Sequence, residues 1–152
     1  MNLFLRIDLN IMSVILLVIT IVIANKKLDK SDKLNQFFIL AASIIAFQTS
    51  LETITCIING KNGVFVRQLS YVIHFLLFSI GPVLTYIWFN FVKFWIVPEK
   101  KFLTKKEIIY IIPILVNFIF TFQSFYKKTI FYLDSNNIYH RGDFFIYSSA
   151  IV

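Results

Sequence analysis

The sequence predicts an all-α membrane protein, an antiparallel transmembrane helix bundle with one short extracytoplasmic β-hairpin. Three observations carry that expectation. Hydrophobic residues make up 58% of the 152-residue chain and charged residues only 15%, where apolar residues reach about 45–50% of a soluble domain. The apolar residues fall in long runs, and the longest, 69–97, overlaps a stretch with no formally charged side chain from 68 to 92. The lysines cluster between the runs, as loop charges of membrane proteins do. The net charge of +7 is therefore assigned to loops, and no nucleic-acid partner is expected.

The first span is placed at 3–24, with Arg6, Asp8 and Asn10 at its interface. Lys26 and Lys27 follow the apolar run instead of preceding it, and no small-residue cleavage site appears, so an uncleaved anchor is expected and not a signal peptide. A polar loop with Lys26, Lys27, Lys30 and Lys33 leads to a second span at 34–58. Residues 59–63 form a tight turn, with Gly60 and Gly63 available for positive φ. The central span is placed at 69–97. Its 25 uncharged residues from 68 to 92 reach about 37 Å as a helix, against roughly 30 Å of hydrocarbon. Gly81 and Pro82 sit near its middle. Proline lacks the backbone donor and crowds the carbonyl four residues back, so a kink is expected and the Phe78 carbonyl loses its usual partner.

A second lysine-rich loop at 98–107 precedes a fourth span at 108–125, which carries Pro113 early and Asn117 midway as a helix-packing contact. The segment 126–142 is polar. Strand formers at 129–133 and 138–140 flank the turn-forming tetrad Asp134-Ser135-Asn136-Asn137, which reads as a hairpin with a four-residue loop; an irregular interfacial loop is the alternative. A fifth apolar run, 144–152, reaches only about 14 Å as a helix, so it reads as a truncated span. The chain is thus one transmembrane module, 1–152, with 126–142 as its extracytoplasmic loop.

Lysine and arginine favour cytoplasmic loops. The first and third loops, with Lys93 just before the third, hold nine of them, and the N-terminus, second loop and fourth loop hold six, spread over more sequence. This bias places the N-terminus and the hairpin outside a cell membrane crossed several times. The paired lysines 100–101 and 105–106 are read as topology signals before lipid-binding sites.

Catalytic chemistry is thin. Two histidines and one cysteine, far apart, give no metal-ligand spacing and no nucleophile–base set. Cys56 alone allows no intramolecular disulfide. There is no phosphate-binding glycine loop. The chain reads as no enzyme, with no cofactor and no metal. The candidate sensing or packing cluster lies toward the outer ends of the second and third spans. Gln48, Glu52 and Thr55 share a helix face at i, i+4, i+7. Glu52 lies six residues before Ile58, and His74 five residues after Leu69, so the two are expected at similar depth and within possible contact. Ionisable groups at such depth need a partner or water, and are functional candidates. A structural hydrogen bond between helices is the other reading. Asp8, Asn10, His140 and Arg141 are expected to line the same side.

Several stretches resemble the N-terminal multi-pass membrane sensor region of bacterial GGDEF diguanylate cyclases: Ile7-Asp8-Leu9-Asn10, Asn59-Gly60-Lys61-Asn62-Gly63, Phe131-Tyr132-Leu133-Asp134, and Asn137-Ile138-Tyr139-His140-Arg141-Gly142. The resemblance covers essentially the whole chain. It implies further spans and a cytoplasmic output domain that makes cyclic di-GMP from two GTP. No residue of that catalytic domain is present here. The implied function is a sensory input module, with the lipid bilayer and a small extracytoplasmic ligand as partners and a homodimeric parent. The alternative is a fragment of a membrane transporter or channel. That reading asks for polar groups near the bilayer midplane, whereas the ionisable groups here lie toward one end.

Overall fold

A computed structural model describes residues 3–97 and 110–146. The loop expected at 98–107, the start of the fourth span at 108–109 and the part of the fifth run after 146 lie outside these residues. Among the described residues, four helices come first: α1 (Leu3–Lys27), α2 (Lys33–Ile58), α3 (Val64–Ile96) and α4 (Ile112–Gln123). A two-stranded antiparallel sheet follows, β1 (Phe131–Leu133) with β2 (Tyr139–Arg141). Three of the helices, α1, α2 and α3, are long and apolar enough to cross a membrane.

Helix α1 packs on α2, α2 on α3, and α3 on both α4 and β1. Short connections make sequential helices antiparallel neighbours. Asp32 caps α2, its carboxylate accepting the Leu34 amide at 3.0 Å. Ala41, Ala42 and Ala46 are buried on α2, where small side chains permit close helix approach. At one end of the bundle, Phe94 is 1% exposed. It stacks on Phe37 with ring centroids 5.5 Å apart, and the ammonium groups of Lys33 and Lys93 lie 5.1 and 5.6 Å from its ring. With Lys26 and Lys27 in the last turn of α1, the lysines of three helices gather at this end. The 59–63 turn and the hairpin lie at the other.

Helix α3 is 33 residues long, about 50 Å. It starts at Val64, earlier than the expected 69. Gly63 takes φ 137 just before it, and nothing in Val64-Phe65-Val66-Arg67-Gln68 opposes a helix; the Arg67 amide already bonds the Gly63 carbonyl at 3.0 Å. The helix continues through Pro82 to Ile96. The Phe78 carbonyl, deprived of its helical donor, accepts from the Asn117 side-chain amide at 2.8 Å.

Over its described part the fourth segment forms α4, 12 residues long, about 18 Å. Pro113 sits in its first turn, where a missing amide costs nothing. After Gln123 the chain leaves the helix through a buried Ser124, whose hydroxyl accepts the Ile130 amide at 2.9 Å. The hairpin is real, but its loop has five residues, not four. Asp134 accepts the amides of both Asn136 and Ile138, each at 2.9 Å, and Asn137 adopts a left-handed φ of 59. That Asx-type turn draws Ile138 out of the strand and brings Arg141 in, opposite Phe131.

The hairpin does not hang free. The Asn59 carboxamide oxygen accepts the Tyr139 amide at 3.0 Å, and the Gly60 amide bonds the Asn137 carbonyl at 3.0 Å. The Asn137 amide nitrogen is shared among the Ile58 and Lys61 carbonyls and the Ser70 hydroxyl, at 3.1 to 3.3 Å. Phe131 is fully buried against α3, its ring 5.6 Å from Phe78 and 5.5 Å from His74. Gly142 closes the unit: a Cβ there would stand 2.5 Å from the carbonyl oxygens of Lys128 and Thr129.

Candidate functional site

A cavity of about 630 Å³ opens between α1, α2, α3 and the hairpin, at the hairpin end of the bundle. Its size suits a small molecule, since ligand pockets run from roughly 300 to 1,000 Å³. Helix α2 contributes Gln48, Glu52, Thr55 and Cys56, with Asn59 at its C-terminal end. These positions follow the i, i+4, i+7 face already visible at Gln48, Glu52 and Thr55. Helix α3 contributes His74, Leu77, Phe78 and Gly81, one i, i+3, i+4, i+7 stripe. Helix α1 adds Leu3 and Arg6, and the hairpin adds Tyr139 and Arg141.

His74 is the most constrained of these groups. It is 7% exposed, and its ring lies nearly parallel to Tyr139, with centroids 4.8 Å apart and 7° between the planes. Nδ1 stands 2.7 Å from the Ser70 carbonyl oxygen. A carbonyl only accepts, so Nδ1 carries the proton, and in the neutral ring Nε2 is left as an acceptor. Burial pushes the Tyr139 phenol above its ordinary pKa, with the Arg141 charge partly opposing; the phenol therefore stays protonated. The Arg141 guanidinium lies 4.6 Å from the Phe145 ring.

Of the residues singled out in the sequence, Gln48, Glu52, His74 and Arg141 line this cavity, while Asp8, Asn10 and His140 do not. Asp8 is exposed. It lies two residues beyond Arg6, about 200° around α1, so the two point to different sides. Asn10 is half-buried, with a side-chain nitrogen that finds no partner. Strand alternation separates His140 from its neighbours: Tyr139 and Arg141 share the cavity face, and His140 points the other way. There its Nε2 lies 3.1 Å from the Asp134 carboxylate, and its ring stacks on Tyr132 at 5.1 Å.

Glu52 and His74 line one cavity without bonding each other. The expectation of equal depth rested on a helix start near 69. With α3 beginning at Val64, His74 lies about 15 Å from its helix end and Glu52 about 9 Å from its own. Among the described residues, the side chains of Glu52 and Arg6 make no hydrogen bond or ion pair.

Arg6, Asn59 and Tyr139 were not singled out as cavity residues from the sequence. Asn59 and Tyr139 meet across 80 positions of chain, a separation that local pattern does not reveal. The stripe Gln48–Glu52–Thr55 extended by one more turn does point to Asn59. Among the described residues, no group of three His, Cys, Asp or Glu side chains is placed to hold a metal ion. Comparison with protein-family models, curated proteins and solved structures finds no match to the chain.

Proposed function

We propose that the chain is a membrane-embedded sensory input module of a bacterial signalling protein. In this reading the three long helices cross the cell membrane with the lysine-rich end in the cytoplasm, and the hairpin lies outside. The output is a cytoplasmic diguanylate cyclase domain carried by the parent protein, as the sequence resemblance implies.

One observation carries the reading. The cavity is walled by three helices and by the hairpin strand that runs through Gly142 directly into Phe144 and the last apolar run. A ligand seated there touches α1, α2, α3 and the start of that run at once. If it binds one arrangement of these elements better than another, it shifts their populations, and the last segment passes the change inward.

The test uses cells carrying the complete gene. Cyclic di-GMP is measured with wild type and with Glu52→Gln and Arg141→Gln, at matched membrane abundance. The reading expects the variants to change the level or its response to medium composition. Identical levels and responses across all three would remove it. Orientation is checked in a Cys56→Ser background: an impermeant thiol reagent is expected to label Ser135→Cys in intact cells and to spare Ser31→Cys. The reverse pattern would invert the topology.

A further inference from the structure

We propose that the cavity binds a small zwitterion, with its ammonium group at Glu52 and its anionic group at Arg6 and Arg141. The inference rests on reading the cavity as the module's ligand site, and it names the ligand class.

Charge is the first argument. The cavity wall carries one carboxylate and two guanidinium groups, and neither Glu52 nor Arg6 is paired with another side chain among the described residues. Glu52 is half-buried, and a carboxylate without a partner is costly in a mostly apolar setting, while Arg6 and Arg141 are exposed at the cavity mouth. A lone anion would satisfy the arginines and repel Glu52. A lone cation would do the reverse. A molecule with both charges satisfies all three.

Placement is the second. Glu52 lies seven residues before Asn59 at the helix end, about 10 Å deep. Arg6 is in the first turn of α1, and Arg141 is on the hairpin. The negative wall is therefore the deeper one, and the positive groups stand toward the rim. Hydrogen bonding is the third. An ammonium group has three donors and no acceptor. Glu52, the Nε2 of His74 and the carboxamide oxygen of Gln48 are three acceptors on the α2 and α3 walls. The arginine forks suit a carboxylate or a phosphate. The same amine-and-anion pair occurs in free solutes and in an aminophospholipid headgroup.

The test uses the purified full chain in nanodiscs of phosphatidylglycerol. Thermal unfolding and calorimetric titration are run with β-alanine and phosphoethanolamine, and with the single-charge controls propionate and ethanolamine. The zwitterions are expected to raise Tm with dose, and the controls to bind at least about tenfold more weakly, since each leaves a charged partner unpaired. Glu52→Gln and Arg141→Gln are each expected to weaken zwitterion binding about tenfold, and the exposed Asp8→Asn to leave it unchanged. Arg141→Gln serves alone if Glu52→Gln fails to fold. Nanodiscs containing phosphatidylethanolamine separate the sources. A raised baseline Tm that depends on Glu52, with loss of the response to added solute, identifies the headgroup; an undiminished response identifies a free solute. Failure of the free zwitterions and of the lipid alike to raise Tm overturns the proposal, as does equal binding of the controls. Binding in nanodiscs with an unresponsive parent protein would sink the sensory reading and keep the ligand class. A responsive parent with no zwitterion binding would do the opposite.

Discussion

The side-chain amide of Asn117 donates to the main-chain carbonyl of Phe78 at 2.8 Å, the carbonyl that Pro82 leaves without its helical donor. The donor comes from α4, so the defect in one helix becomes a contact between two. Asn117 is 1% exposed, which makes the exchange matter, because water cannot replace either group.

This arrangement is tested by a double-mutant cycle of Asn117→Ala and Pro82→Ala. In the native background, Asn117→Ala is expected to cost about 1–2 kcal/mol, read as denaturant or thermal unfolding in detergent. In Pro82→Ala the backbone amide returns to the Phe78 carbonyl, and the same substitution should cost only a few tenths of a kcal/mol. Equal costs in the two backgrounds would show that Asn117 stabilises through some other contact.

Both halves of that contact were legible in the sequence, and their union was not. A proline in an apolar run announces an unsatisfied carbonyl, and a lone asparagine in another run announces a packing contact, but pairing them needs the chain to fold across a separation of 39 positions. The same holds at the cavity. Helical spacing exposes the Gln48–Glu52–Thr55 face, whereas the Tyr139 and Arg141 wall depends on strand alternation, which separates Arg141 from the adjacent His140. A tetrad of turn formers does not reveal that Asp134 will hold two amides and extend the loop to Ile138. Helix α3 begins at Val64, ahead of the expected 69, because residues 64–67 precede the longest uncharged stretch, and hydropathy marks where a helix is buried, not where it begins.

The hairpin is expected to detach when Asn137 loses its side chain. Its nitrogen serves three acceptors on the α2–α3 turn and α3, while its φ of 59 is one that glycine adopts freely. Asn137→Gly therefore removes the bonds without adding strain. Hydrogen exchange at the Tyr139 and Gly60 amides should speed up by a factor corresponding to about 1–3 kcal/mol. Asn59→Asp, which keeps an acceptor for the Tyr139 amide, should leave exchange nearly unchanged. Unaltered protection in Asn137→Gly would show that the aromatic contacts of Phe131 hold the hairpin alone.

Acid is expected to loosen the hairpin tip through Asp134. The Ile138 amide, the His140 ring and the Asn136 amide, in that order of effect, hold this carboxyl below its ordinary pKa. A lowered folded-state pKa gives stability that is fully present above the unfolded value of about 3.9 and is lost as pH falls through the folded value. No change from this group is expected between about pH 5 and 8, and a change is expected below about pH 4. Near-ultraviolet circular dichroism of the stacked Tyr132 and His140 rings follows it. Asp134→Asn keeps an acceptor for both amides and should abolish the acid transition. A transition that persists in the variant would belong to another group.

Glu52 and His74 are expected to act independently while the cavity is unliganded. No bond joins them: His74 is held by the Ser70 carbonyl and by its stack on Tyr139, and Glu52 by its helix alone. His74→Ala removes a buried ring with its aromatic contact, so its cost should exceed about 1 kcal/mol. Glu52→Gln removes an unpaired charge from a partly buried position and should be neutral or stabilising. The double mutant is then expected to match the sum within about 0.5 kcal/mol in detergent. Adding a zwitterion should introduce coupling, because both side chains are then placed against one ammonium group. Strong coupling in the unliganded protein would mean that the pair is bridged directly, and would turn Glu52 from a ligand contact into a packing contact between helices.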